Sequence, residues 1–270
     1  MLAETALNRK RRIGRESDET LTKESPTLTS AHSKRRVAAW LGVSFALVFP
    51  TIVTWAYFYR AADADQGVQQ AVMATLKLLQ FVFPVAWVYG VLRERIEWQR
   101  PSPRGLVVGL LFGLAVALAG WIVFRYVLTG SPMFVPASEQ IRAKVAGFGL
   151  DSVSKFVALG VFYSLAHSLL EEYYWRWFVF GQLRSLVRLW PAIIVASLGF
   201  MAHHVLVLSL YFGWWTWPTM LFSACVAVGG AFWAWLYDRT GSLLGPWLSH
   251  LLVDAGIFFI GFELVRSSLR

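Results

Sequence analysis

The sequence predicts an all-α fold, a polytopic membrane helix bundle of about seven transmembrane helices, with six to eight as the range. Three observations lead to this prediction. Hydrophobic residues make up 57% of the 270-residue chain and charged residues only 15%, whereas soluble domains average about 45–50% and 25%. Apolar runs near the ~20 residues that cross a bilayer as a helix recur along the chain. Basic residues outnumber acidic ones, 25 to 16, and they concentrate in the N-terminal tail and short loops, which indicates membrane orientation rather than nucleic-acid binding.

The chain begins with a polar segment, residues 1–36, in which no hydrophobic signal-peptide stretch follows the first basic cluster. We expect a disordered basic tail that its charge keeps in the cytoplasm. Seven apolar runs then cover residues 37–59, 68–92, 106–128, 153–183, 191–212, 217–237 and 243–264.

Residues 37–130 contain the first three runs, which we expect to form peripheral transmembrane helices without chemistry. Gly105, Gly109 and Gly113 recur at every fourth position there, a spacing typical of close helix–helix approach. Residues 131–152 contain two prolines and are expected to form an extracytoplasmic loop or an interfacial helix. The last four runs, within 153–270, form the predicted core.

The charge pattern places the N-terminus inside the cell, because the basic loop 93–104 and the basic positions 184–188 then fall on the cytoplasmic side. We expect an integral protein of the bacterial cytoplasmic (inner) membrane. One feature does not fit, since an odd number of spans leaves Arg266 and Arg270 outside.

Ionisable residues inside the apolar runs cluster in the last four. Each such group near the bilayer centre costs roughly 2.5–3.5 kcal/mol, so a chain that carries several is expected to use them. In the fourth run, the i,i+4 spacing aligns His167 with Glu171 and Glu172 with Arg176. Because Arg176 can neutralise Glu172, Glu171 is the carboxylate freer to face a cavity as a general base.

Two later runs carry histidines at helical spacing. Phe200 lies one turn before His204 and can hold its imidazole in place, whereas the adjacent His203 points about 100° away and is given less weight. His250 and Asp254 are also one turn apart, so they can address the same atom. The candidate site therefore combines Glu171, His204, His250 and Asp254 with the supporting residues Glu172, Arg176 and Phe200.

Together these three motifs resemble the CPBP family of membrane proteins. They are Glu171-Glu172-x-x-x-Arg176, Phe200-x-x-x-His204 and His250-x-x-x-Asp254. The family comprises the type II CAAX prenyl endopeptidases and the bacteriocin-processing or immunity-related Abi proteins. The resemblance covers about residues 153–264, where the three motifs occur in the family's order on successive membrane runs.

The resemblance implies an intramembrane endopeptidase that hydrolyses a peptide bond of a membrane-associated or lipid-anchored protein or peptide. Glu171 would activate water, His204 would position or deprotonate that water, and His250 with Asp254 would face the oxyanion. Asn often stands where this chain has Asp254, and an ionised Asp cannot donate a hydrogen bond. Asp254 would therefore have to be protonated, or act by orienting His250.

Two alternatives remain open from the residues alone. In one, the protein is a zinc-dependent intramembrane metalloprotease with Glu171, His204 and His250 as metal ligands, although the H-E-x-x-H signature is lacking. In the other, it is a non-catalytic immunity or scaffold protein of the membrane. The preferred interpretation needs no cofactor and no metal. Its partners are the lipid bilayer and a membrane protein or peptide substrate, with no nucleic acid, and the oligomeric state stays undetermined.

Overall fold

The computed structural model describes residues 26–62, 64–95, 100–132, 134–147, 149–266 and 269, with side chains from residue 33 onward. Within these residues the chain is helical and contains no strand. The helices are α1 (Pro26–Trp55, continued by a π-helical turn at Ala56–Arg60), α2 (Gln66–Leu92), α3 (Pro103–Leu128), α4 (Val135–Gly147), α5 (Val153–Leu186), α6 (Leu189–Phe212), α7 (Trp217–Thr240) and α8 (Leu244–Val265).

Seven of these helices are long and apolar enough to cross a membrane. The predicted all-α bundle is therefore confirmed, and the protein is an integral membrane protein. The remaining helix, α4, has 13 residues, which is shorter than the ~20 that a span requires. It lies in the segment predicted as a loop or interfacial helix, and it packs against α6 and α8.

The first helix begins earlier than the sequence predicts. Residues 26–36, assigned to the disordered tail, are helical. Their charge argues against membrane burial but not against helix formation, since Lys, Arg and Ala are good helix formers and each added residue contributes one backbone hydrogen bond. Residues 1–25, the rest of the predicted tail, lie outside the described residues.

Helix α5 lies at the centre of the bundle, where it contacts α1, α2, α6, α7 and α8. Its aromatic segment, Tyr173–Phe180, buries Tyr174, Trp175 and Phe178 in the hydrophobic core. This segment and Tyr163–His167 are π-helical, and they flank the α-helical turn Ser168–Glu172. Such π-helical insertions occur frequently at functional sites, and here they enclose the two glutamates.

Helix α3 packs closely along α8, as the glycine spacing predicts. A Cβ atom on Gly109 would lie 2.2 Å from the backbone oxygen of Gly245, and one on Gly113 would lie 2.8 Å from that of Ser249. Glycine is therefore required for the two backbones to approach this closely. The contact supports α8 from behind, at the turn that precedes His250.

Candidate active site

Three imidazoles surround the carboxylate of Glu171, which is only 4% exposed. Its Oε1 lies 3.7 Å from Nε2 of His203 on α6 and 3.9 Å from Nε2 of His167, one turn earlier on α5. Its Oε2 lies 3.7 Å from Nε2 of His250 on α8. Residues from three helices thus converge on one buried carboxylate.

The second glutamate is held on both sides. Glu172 has no solvent exposure, and its Oε1 accepts a 2.8 Å hydrogen bond from Nδ1 of His250. Its Oε2 forms an ion pair with Nε of Arg176 at 3.1 Å, as the i,i+4 spacing predicts. Glu172 therefore serves as a structural link between α5 and α8, while Glu171 keeps no dedicated cation.

His250 lies among three carboxyl groups. Its Nδ1 hydrogen is used by Glu172, and its Nε2 lies 3.6 Å from Oδ1 of Asp254 as well as close to Glu171. The indole of Trp233 stacks on the imidazole, with ring centroids 4.2 Å apart, and its own N–H donates to Ser249 Oγ at 2.8 Å. Because the ring is clamped in this way, an Nε2–H would have a fixed direction toward the carboxyl groups of Glu171 and Asp254.

The buried guanidinium of Arg176 lies between two aromatic rings. Its Cζ is 4.7 Å from the centroid of Phe200 and 4.9 Å from that of Trp233, so cation–π attraction adds to its ion pair with Glu172. The same Phe200 ring lies 4.7 Å from the imidazole of His204. Phe200 thus contacts both Arg176 and His204, and its supporting role stays a prediction.

The two adjacent histidines of α6 are placed differently from what the sequence favoured. Among the described residues, the histidines paired with Glu171 are His167, His203 and His250, and His204 is not one of them. His204 instead donates from Nδ1 to the carbonyl oxygen of Phe200 at 2.9 Å. Neighbouring residues of a helix point about 100° apart, and the rotation of α6 turns the less favoured His203 toward the carboxylate.

His204 nevertheless borders the same site. Its ring centroid is 4.2 Å from that of His203, and it is partly exposed whereas His203 is buried. Because the Nδ1–H of His204 is bound to the carbonyl oxygen of Phe200, Nε2 of the neutral ring carries a lone pair and can accept a hydrogen bond.

Lys77 on α2 is a functional candidate that the sequence interpretation missed, since no chemistry was expected from the first three runs. Its ammonium lies 5.4 Å from the centroid of the Phe81 ring and is close enough to the Glu171 carboxylate to interact with it electrostatically. The sequence did contain an indication, a single lysine within the apolar run 68–92. A charged residue inside a membrane span generally points to a functional site.

The described residues contain no group of three or more His, Cys, Asp or Glu side chains arranged to hold a metal ion. The predicted zinc ligands included His204, which is not paired with Glu171.

A comparison with protein-family models matches residues 153–256 to the family described as Type II CAAX prenyl endopeptidase Rce1-like. Residues 153–256 are therefore similar to this family. The matched segment starts at the first residue of α5 and ends just beyond Asp254, so it contains all three motifs and confirms the predicted family resemblance. The similarity of this segment indicates a protease of the CAAX prenyl endopeptidase type. No curated protein and no solved structure matches the chain.

Proposed function

We propose that this protein is an intramembrane endopeptidase in which Glu171 activates water for attack on a peptide bond. The observation that carries the proposal is the buried Glu171 carboxylate, approached by imidazoles from α5, α6 and α8. A carboxylate that is oriented but not neutralised by a dedicated cation can accept a proton from water. The Rce1-like match over residues 153–256 supports the same reaction class.

In the proposed mechanism the water oxygen bonds to the carbonyl carbon of the substrate while Glu171 takes a water proton. The resulting tetrahedral intermediate carries its negative charge on the former carbonyl oxygen. Collapse then breaks the C–N bond, and the leaving amine receives the proton from Glu171. The products are a new carboxyl terminus and a new amine, and no covalent enzyme intermediate forms.

His250 is the proposed oxyanion donor. Its Nδ1–H is bound to Glu172, so an imidazolium would present Nε2–H to the developing charge, which is the preorganised donor that such a step requires. Asp254 acts on that imidazole rather than on the oxyanion itself, because an ionised carboxylate has no hydrogen to donate. Its Oδ1 lies 3.6 Å from Nε2 of His250.

His204 is the proposed substrate-side partner of the attacking water. Its imidazole is partly exposed, and the Phe200 carbonyl fixes its tautomer. His203, which is buried and stacked parallel to Trp175 with centroids 5.8 Å apart, holds the Glu171 carboxylate from the protein side. His203 is therefore a positioning residue in this proposal.

The proposed substrate is a membrane-associated or lipid-anchored protein or peptide, approached from the cytoplasmic side of a bacterial inner membrane. The side assignment depends on the basic loops, which favour a cytoplasmic N-terminus. The reaction as proposed requires no metal or cofactor, since water is activated by a carboxylate and the oxyanion is stabilised by an imidazolium.

The proposal is tested by comparing cells that express the wild type or Glu171→Gln, with the termini of membrane proteins identified by mass spectrometry. Glu139→Gln on α4 is the matched control, because it makes the same change at an exposed glutamate. We expect some protein termini to be present in cells that express the wild type or Glu139→Gln and absent from cells that express Glu171→Gln. Identical termini in all three strains, with every variant inserted in the membrane, would refute the proposal.

A chelator tests the metal-free part of the mechanism on the purified protein. Processing of a client identified in that experiment should be unchanged by EDTA. Loss of activity with EDTA and recovery with zinc would instead favour the metalloprotease alternative.

A further inference from the structure

Lys77 is a charged side chain in the middle of a membrane-spanning helix. It lies about 16 Å along α2 from the Gln66 end and about 22 Å from the Leu92 end, at 1.5 Å per residue. Among the described residues, its ammonium contacts the ring of Phe81, at 5.4 Å from the centroid, and it forms no ion pair within 4 Å. A charge at this depth is costly in a membrane, so its retention indicates a functional role. Because no carboxylate of the described residues is bonded to it directly, the ammonium can take a further anion.

The ammonium of Lys77 lies on the side of α2 that faces the candidate active site. The Phe81 ring that it contacts packs edge-on against His167, with centroids 6.4 Å apart, and His167 is the α5 neighbour of Glu171. Lys77 is within electrostatic range of both Glu171 and His167. It is therefore next to the proposed catalytic base without being bonded to it.

A second polar group lies one turn further along the same face of α2. Gln80 is 1% exposed, and its side-chain Oε1 has no hydrogen-bond partner among the described residues. Pro84 follows four residues later and has no N–H, so it cannot donate to the backbone carbonyl of Gln80. The next N–H, that of Val85, contacts the hydroxyl of Tyr173 on α5 at 3.2 Å. The unpaired Oε1 of Gln80 is an acceptor, so it can bind an N–H of a peptide but not a carboxylate.

We propose that the ammonium of Lys77 forms an anion subsite that binds a carboxylate of the peptide substrate close to the scissile bond, while Oε1 of Gln80 accepts from a backbone N–H of the same peptide. This inference depends on the proposed protease function and adds a substrate feature to it. A peptide carboxylate is preferred to a lipid phosphate, because headgroups lie outside the ~30 Å hydrocarbon core and Lys77 is near its centre. The carboxylate has two sources, the carboxy terminus of the peptide or an Asp or Glu side chain.

The test measures peptide binding to Glu171→Gln protein in neutral detergent, so that neither cleavage nor anionic lipid contributes. Three dansylated octapeptides of Ala and Leu serve as probes: one with a free carboxy terminus, the same peptide amidated, and the amidated peptide with one Glu near its end. Binding is compared in the Glu171→Gln background alone and with Lys77→Gln, Lys77→Arg or Lys155→Gln added. Lys155 is the control, because it is an exposed lysine already paired with Asp151.

We expect an acidic probe to bind about 10- to 100-fold more tightly than the neutral amide, the range for one charge-assisted contact. Lys77→Gln should remove this preference, while Lys77→Arg and Lys155→Gln should keep it. Preference for the free terminus identifies the terminal carboxylate, and preference for the Glu probe identifies the side chain. Equal binding of all three probes, or a preference that survives Lys77→Gln, would overturn the inference. Either result leaves the proposed protease function intact, because that function is decided by the Glu171 cleavage experiment.

Discussion

Nδ1 of His250, on α8, donates a 2.8 Å hydrogen bond to Oε1 of Glu172, on α5. This bond joins the two helices that carry most of the candidate site, and it directs the other imidazole nitrogen toward Glu171. Glu172 also pairs with the buried Arg176 at 3.1 Å. The glutamate next to the proposed base therefore has a structural role, because its fully buried carboxylate binds both a cation and an imidazole.

Glu172→Ala should destabilise the protein strongly. The change leaves the buried charge of Arg176 without its counter-ion, which costs about 3–5 kcal/mol in buried pairs, and it removes the acceptor of His250. We expect a large fall in the thermal unfolding midpoint in detergent and loss of processing. Glu172→Gln should be milder but still destabilising, since its amide oxygen can accept from Nδ1 of His250 whereas the charge that balances Arg176 is lost.

The control for this prediction is the exposed ion pair between Arg184 and Asp238, at 2.9 Å. Arg184→Ala removes a pair of similar length that is worth at most about 1 kcal/mol at a solvated site. If Glu172→Ala and Arg184→Ala shift the unfolding midpoint equally, the structural role assigned to Glu172 is wrong.

The two adjacent histidines of α6 should respond differently to substitution. His204→Ala should lower kcat by about 100-fold or more, because the attacking water loses the acceptor that aligns it for proton transfer to Glu171. His203→Ala should lower it less, because His203 only positions Glu171, and His203→Gln should recover part of the loss by donating from its side-chain amide. Cleavage rates of an identified client provide the measurement.

The opposite order is also informative. A larger loss for His203→Ala than for His204→Ala, with no recovery in His203→Gln, would make His203 the catalytic histidine. The 3.7 Å approach of its Nε2 to Glu171 would then be the functional contact.

Gly109→Ala should destabilise the packing of α3 against α8. The added Cβ would lie 2.2 Å from the Gly245 oxygen, so the helices would have to separate, at a typical cost of about 1–3 kcal/mol. Gly120→Ala is the matched control on the same helix, since a Cβ there meets nothing within 4 Å. We expect a lower unfolding midpoint and reduced processing for Gly109→Ala alone, because α3 supports the helix that carries His250. Equal behaviour of the two variants would contradict this packing role.

The membrane orientation can be tested with reporter fusions. Seven spans and a cytoplasmic N-terminus predict that a fusion at residue 100 is cytoplasmic, whereas fusions at residue 214 and after residue 270 are extracytoplasmic. Alkaline phosphatase should therefore be active at the last two positions and green fluorescent protein at the first. Phosphatase activity at residue 100 would reverse the proposed orientation and the side from which substrate enters.

Much of the candidate site could be predicted because it depends on spacing within single helices. The i,i+4 relation placed Glu172 beside Arg176 and His250 beside Asp254, and both pairs are present in the structure. It could not decide between His203 and His204, because both lie on one helix and only the rotation of α6 against α5 selects which one meets Glu171. Lys77 was missed for a related reason, since a lone charge on a separate helix shows no partner in the sequence.

The sequence by itself determined the all-α membrane class, the seven spans, the family resemblance and the set of intramembrane ionisable groups, because hydropathy and helical periodicity are local properties of the chain. Only the tertiary structure decided which of these groups meet. The link between His250 and Glu172, the approach of His203 to Glu171 and the position of Lys77 beside the site all depend on how separate helices rotate and pack. Those rotations are set by contacts between distant residues, such as Gly109 with Gly245, which no single helix specifies.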